Sequence, residues 1–157
     1  MDADGSHPIA VVSTLLGTLA MGADLALGAR YIPGGSTDPD WAWHRNALSV
    51  AGNTYARLVL GLPYRDLTGG FKAWRADLLR AIHPIGGDLS GYAFQIHTTY
   101  AAHRLRAVIA EVPFAFKERV HGVSKMRPQI VTEGLAAVLS MRLRPPSLSL
   151  DNAAARK

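Results

Sequence analysis

Apolar and polar positions divide the chain into alternating helical and extended stretches. Ile9–Gly28 is mostly Ala, Val and Leu; its apolar residues predict a helix over Pro8–Ala20, a break at Gly22 and a buried strand over Ala23–Ala29. Tyr31–Asp40, with Pro33-Gly34-Gly35-Ser36, reads as a loop. Trp41–Leu60 reads as a long helix, with Trp41, Leu48, Val50, Tyr55, Leu58 and Val59 as its apolar contacts. Pro63–Gly70 is a second loop, Phe71–Trp74 is short and extended, and Arg75–Ile82 is helical before the Gly86-Gly87 break. Tyr92–Arg104 is a further helix. Val108–Lys117 is a strand whose Pro113 implies an edge or a bulge. A basic loop over Arg119–Arg127 leads to an amphipathic helix over Pro128–Arg142, closed by Pro145-Pro146.

Strands alternating with helices predict an α/β architecture. Only two good strands stand out, and two strands rarely make a self-sufficient sheet, so the first half of a larger domain is expected to be missing. The expected organisation is residues 1–144 as the C-terminal portion of a catalytic domain and 145–157 as a disordered tail.

Composition changes this picture little. With 157 residues and 48% hydrophobic residues, the chain can build one core. It has no cysteine, which excludes a disulfide framework and thiolate chemistry. A formal net charge of +5 permits an anionic partner, either a phosphorylated substrate or a lipid surface. No basic run with interleaved aromatics points to nucleic acid. The acidic start does not read as a signal peptide, and Asp24 inside the apolar stretch argues against a spanning helix. The expected place is cytoplasmic, with peripheral attachment to the cytoplasmic face of a membrane as an option.

Candidate chemistry begins at Met1-Asp2-Ala3-Asp4-Gly5-Ser6-His7-Pro8. In extended backbone Asp2 and Asp4 point to the same side, where two carboxylates can grip one hard divalent cation. The plainer reading of such a pair is a solvated tail.

That run resembles the metal-binding segment of the polyprenol-phosphate (dolichol-phosphate) mannosyltransferases, family-two glycosyltransferases with the GT-A fold. The likeness continues through Gly28-Ala29-Arg30-Tyr31-Ile32-Pro33-Gly34-Gly35, Trp43-His44-Arg45, Ser49, Gly52-Asn53 and Ala56-Arg57. It extends through Asp66-Leu67-Thr68-Gly69-Gly70-Phe71-Lys72-Ala73-Trp74, Gly91-Tyr92-Ala93-Phe94-Gln95-Ile96, Glu111-Val112-Pro113 and Gly122-Val123-Ser124-Lys125-Met126. The fold this resemblance implies is an incomplete GT-A (nucleotide-diphospho-sugar transferase) fold lacking the N-terminal nucleotide-binding half. A truncated gene, a misplaced start or a split enzyme with a partner chain supplying that half would each account for it.

The implied reaction is attack by a polyprenol phosphate oxygen on the anomeric carbon of mannose in GDP-mannose, with inversion. The nucleophile is already an anion, so cations and positioning carry the catalysis. The resemblance implies Mg²⁺ or Mn²⁺ on Asp2, Asp4 and Ser6. It implies Arg30 and Arg45 facing the donor and acceptor phosphates, where a planar guanidinium fork fits. Asp66 with Gly69 and Gly70 would form the floor near the sugar, with Gln95 alongside, and Ser124 and Lys125 would lie on a mobile loop. Surface charge remains the plain alternative for Arg30, Arg45 and Lys125, and a turn aspartate for Asp66. Asn53 is expected to orient a loop by hydrogen bonds. Trp41 and Trp43 line either a lipid path or the core.

One position departs from the family pattern: His97 stands where a carboxylate follows Gln95-Ile96. The other histidines show no metal-site spacing and are expected to be surface or packing residues. Transfer of glucose or another sugar, and a noncatalytic remnant or binding module, stay open as alternatives. The helix face of Ile130, Val131, Gly134, Leu135, Val138 and Leu139, followed by Arg142 and Arg144, fits either a lipid surface or the domain core.

Overall fold

The computed structural model describes residues 5–82, 91–117 and 128–145. Among these, the chain runs α1 (Ala10–Ala20), β1 (Leu25–Ala29), α2 (Trp43–Leu60), β2 (Lys72–Trp74), α3 (Ala76–Ile82), α4 (Gly91–Arg104), β3 (Ile109–Pro113) and α5 (Pro128–Leu143). This is a mixed α/β arrangement around a three-stranded sheet of order β2-β1-β3.

β1 takes the centre because every one of its residues, Leu-Ala-Leu-Gly-Ala, is apolar or small and buried. A strand covered on both faces needs that continuous apolar run. β2 pairs with it antiparallel, with Lys72 opposite Leu27. β3 pairs with it parallel, from Leu25 opposite Ile109 to Ala29 opposite Pro113. Pro113 therefore stands on an edge strand, where its missing N–H breaks no ladder. Asp24, the acidic residue within the apolar stretch, sits at the mouth of β1. Its Oδ2 accepts from Val108 N at 2.8 Å, and Arg75 Nε lies 3.7 Å from its Oδ1.

One face of the sheet carries Ala26, Phe71, Val112 and Phe114 against Leu15 of α1. Leu25 and Leu27 face the other way, onto Ile82 of α3 and Ala101 and Ala102 of α4. A third cluster joins α2, α4 and α5 through Ala56, Leu60, Ile96, Tyr100, Val138 and Met141.

The expected elements are present, with shifted bounds. α1 starts two residues later than expected, and Gly22, at φ +108°, makes the break before β1. β3 is shorter than Val108–Lys117, although Ser36 and Ala115 continue the pairing as an isolated bridge. The short extended stretch expected at Phe71–Trp74 is β2, which pairs with β1 and adds a third strand to the two that stood out. The α2 contacts also need correction. Leu48, Val50 and Leu58 are exposed, and Asn53, Ala56 and Leu60 are the buried positions. The apolar pattern misleads because a polar residue, Asn53, has its hydrogen bonds satisfied on the inward face. The expected α5 face is split: Val138 is buried, whereas Leu135 and Leu139 are exposed. Gly86-Gly87, the basic loop and the tail from 146 onward lie outside the described residues.

Candidate functional site

At the C-terminal end of β1 the backbone delivers Arg30 straight onto Asp66. Arg30 donates from Nε to Asp66 Oδ2 at 2.7 Å, from Nη2 to Oδ1 at 2.8 Å, and from its backbone N to Oδ2 at 2.9 Å. Nη2 also donates to Thr68 Oγ1 at 3.2 Å. The Asp66 side chain is wholly buried and that of Arg30 is 9% exposed. Burial disfavours the guanidinium charge, but the hydrogen bonds and charge of Asp66 more than offset it, and the Arg30 pKa is raised. Three rings close around the cation: Tyr31 at 5.0 Å, Phe116 at 5.5 Å and Trp41 at 5.9 Å from Cζ. The Nη1 edge makes no hydrogen bond among the described residues.

The Asp66 loop is held by its own backbone. Glu111 of β3 accepts from Arg65 N at 2.7 Å and Asp66 N at 3.2 Å. Asn53 of α2 accepts on Oδ1 from Leu67 N at 2.7 Å and Thr68 N at 3.1 Å. Four successive amides thus end on two side chains. The Asn53 amide meanwhile donates to Ser49 O and Thr68 Oγ1. Asn53 therefore orients this loop by hydrogen bonds, as expected of it. A loop satisfied in this way holds one conformation without regular structure.

α2 presents Arg45, Ser49 and Asn53 at four-residue intervals, on one face. Asn53 grips the loop, and Ser49 accepts from Tyr31 Oη at 2.8 Å. Arg45 lies one turn further along the same face. Gly69 sits beside Asp66, with open space for no more than ordinary contact to Asp66 Oδ1 and Gly28 O. Gln95 is reached from below: Lys72 Nζ, on β2, donates to Gln95 O at 2.7 Å.

Ser6 is buried, and its carbonyl accepts from Lys117 N at 3.3 Å. The next residue, His7, stacks on Phe71 at 4.6 Å and meets Phe114 and Phe116 edge-on. Phe116 is the ring that also covers Arg30, so the segment following Asp4 is anchored beside the Arg30 cage. Asp2, Asp4, Ser124 and Lys125 lie outside the described residues. Among the described residues no group of three or more His, Cys, Asp or Glu could hold a metal ion.

His97 is buried in α4, and its Nδ1 has no hydrogen-bond partner among the described residues. Burial pushes its pKa down, so it stands as a neutral imidazole where the family pattern has a carboxylate. His103 contacts Tyr64 Oη at 3.2 Å and His44 lies edge-on to Trp43. Trp41 packs on Phe116, whereas Trp43 is 80% exposed.

Three residues of this arrangement did not stand out in the sequence: Thr68, Lys72 and Glu111. The signal for two of them was a lone charge inside an otherwise apolar strand, in Phe71–Trp74 and in Ile109–Pro113.

No protein-family model matches the chain. Individual proteins do. Polyprenol monophosphomannose synthase of Mycolicibacterium smegmatis is 43% identical over 144 residues, covering 92% of this chain and 54% of that protein. Undecaprenyl-phosphate mannosyltransferase of Micrococcus luteus is 44% identical over 138 residues, covering 88% of this chain and 56% of that protein. Over the stretch it spans, the chain is homologous to the polyprenol-phosphate mannosyltransferases. Dolichol-phosphate mannosyltransferase of Pyrococcus furiosus is a more distant polyprenol-phosphate mannosyltransferase relative, 29% identical over 137 residues. The chain spans about half the length of the two bacterial relatives.

Proposed function

We propose that the chain is the C-terminal portion of a GT-A mannosyltransferase that moves mannose from GDP-mannose to a polyprenol phosphate with inversion. Similarity of 43–44% to two such enzymes over nearly the whole chain is the observation that supports this reading. The chemistry fits the residues. An acceptor phosphate oxygen forms the bond to the anomeric carbon, the bond to GDP breaks, and GDP leaves with the electron pair. Two anions must meet, so the protein has to supply fixed positive charge rather than a strong base. Arg30 is such a charge. Asp66 and the ring cage hold it in place, and its Nη1 edge is left for a phosphate. Arg45 offers a second cation from the same face of α2 that holds the loop.

Asp66 serves first as the carboxylate that orients Arg30, since both its oxygens are engaged there. Asp2, Asp4 and Ser6 are the residues proposed to hold Mg²⁺ or Mn²⁺, which would counter the charge on the departing diphosphate. The remaining length that the relatives carry would supply the nucleotide contacts, in the same polypeptide or from a partner chain.

The expected result is mannolipid formation from labelled GDP-mannose and polyprenol phosphate when the chain is produced together with that remaining length. Chelation should abolish transfer, Mn²⁺ should restore it, and Arg45→Ala should lower kcat/KM by about 10²–10³-fold. No mannolipid under these conditions would sink the reading. Faster transfer of glucose from a nucleotide donor would replace mannose with another sugar.

Peripheral attachment to the cytoplasmic face of a membrane forms part of the same proposal. No helix among the described residues is long and apolar enough to cross a membrane. Leu135, Leu139 and Leu143 are exposed at four-residue spacing on α5, beside Arg142 and Arg144. On α2, packed against α5, Trp43, Val50 and Leu58 are also exposed. Apolar side chains flanked by arginines suit an anionic lipid surface. The protein should sediment with anionic liposomes at low salt and be released at high salt. Reversing the charge at Arg142 and Arg144 should abolish binding with the fold intact. No sedimentation at low salt would leave these side chains without a lipid role.

A further inference from the structure

We propose that Lys72 is a positioning residue of the candidate site. Entering from β2, its side chain latches the first two turns of α4, with Tyr92 and Gln95, onto the strand behind the Asp66 loop.

The geometry is specific. Phe71 and Ala73, on either side of Lys72, point into the cluster with Leu15 and Phe114, so Lys72 points to the other face of the sheet. That face carries Leu25, Leu27, Trp74 and Ile109, with Glu111 of β3 across Leu27 as its other charged residue. Lys72 Nζ donates to Gln95 O at 2.7 Å and to Thr99 Oγ1 at 3.0 Å. The Thr99 and Thr98 hydroxyls also donate to Gln95 O, at 3.1 and 3.2 Å. One carbonyl in the second turn of α4 thereby gathers three side-chain donors. α4 opens at Gly91 with φ +59°, and Tyr92 lies close enough to Arg30 to act on its charge. Where α4 begins thus matters to the surroundings of Arg30.

Stability does not explain a lysine here. It makes no ion pair among the described residues, and burial pushes its pKa down to about 7, with the charge of Asp66 opposing that shift. A hydrophobic residue of the same length would avoid the cost of burying a charge. Met in place of Lys72 would leave no polar group stranded, because the Thr99 hydroxyl keeps its bond to Gln95 O. What Met cannot do is tie β2 to α4.

The groups around Nζ are few. α1 and β1 carry no titratable side chain. The loop contributes Asp66. α4 contributes a carbonyl and a hydroxyl; its nearest titratable residues in sequence, His97 and Tyr100, make no hydrogen bond to Lys72, and neither does Glu111 of β3, whose carboxylate accepts from the Arg65 and Asp66 amides. The pH dependence of this position therefore belongs to Lys72 itself. Unfolded, a lysine holds its proton up to about 10.4. Folded, Lys72 releases it near 7. Between these values the unfolded state binds more protons, so stability rises with pH across that window.

Hydrogen exchange on the whole chain, wild type and Lys72→Met, tests the latch and does not depend on the proposed mannosyl transfer. Amides of residues 91–99 should exchange about tenfold faster in K72M, the local effect of losing a charge-assisted hydrogen bond, with β1 and α2 unchanged. Thermal stability of K72M should equal or exceed wild type at pH 6, and that difference should shrink as pH rises toward 10. Unchanged exchange at 91–99, or a uniform rise in every element, would overturn the proposal. So would K72M and wild-type stabilities that run parallel across pH.

Discussion

Replacing Asp66 with Asn should destabilise the protein by about 3–5 kcal/mol, the cost of leaving a buried guanidinium without its counter-charge. Arg30 is 9% exposed and Asp66 fully buried, so water cannot take over for the lost carboxylate. Three of the four hydrogen bonds that Arg30 makes among the described residues go to Asp66, and the rings of Tyr31, Trp41 and Phe116 lie against its guanidinium. Loss of the carboxylate also removes the negative charge that opposes the lowering of the Lys72 pKa. For a domain with a stability of about 5–15 kcal/mol this is a large fraction. The melting temperature should fall by roughly 10 °C. Removing both members together, as Arg30→Met with Asp66→Leu, should cost much less than the sum of the single changes, because no charge is stranded. Calorimetry on wild type, D66N, the single variants R30M and D66L and their double variant decides. A loss below about 1 kcal/mol for D66N would show that the pair is solvated after all.

The sequence led readily to the long elements and less readily to what joins them. α2 and α4 are long and β1 is a continuous apolar run, so period and burial agree. β2 has three residues, too few for any alternation to register, and its pairing with β1 depends on a partner 45 or more positions away. The inward face of α2 escapes the apolar pattern because hydropathy assigns Asn53 to water, whereas its side chain makes three hydrogen bonds to the Asp66 loop and one to Ser49 O. Arg30 and Asp66 could be named as candidates from their motifs. That they bond to each other could not, because 36 residues separate them and only the sheet brings them together. Glu111 shows the same limit. A carboxylate flanked by Ala110 and Val112 in a strand was visible as an oddity, but its two amide partners belong to a loop from the middle of the chain. Long-range hydrogen bonds leave marks in a sequence only as polar residues in apolar places, and the mark does not say where the partner is.

Replacing Gly35 with Ala should cost about 3 kcal/mol and disturb Arg30, although the change adds a single methyl group. A Cβ at Gly35 would come within 2.6 Å of Ala29 O, 2.7 Å of Arg30 O and 2.9 Å of the Arg30 carbonyl carbon. All three are backbone atoms, so no side chain can turn aside to make room. Neither wall is free to retreat. Ala29 is held by Pro113 across the sheet and accepts from Phe114 N, and Ser36, next to Gly35, is bonded on both sides to Phe114 and Phe116. Relief must come from opening that pairing or from moving Arg30 off Asp66, and Phe116 would shift with it in either case. Gly52→Ala is the matching control. It lies within α2 with nothing within 4 Å of its Cβ, so the substitution should stabilise by up to about 1 kcal/mol through helix propensity. Denaturant melts of the two variants should therefore move in opposite directions. If Gly35→Ala unfolds at the wild-type midpoint, the turn after β1 is free to yield, and Arg30 is not held by it.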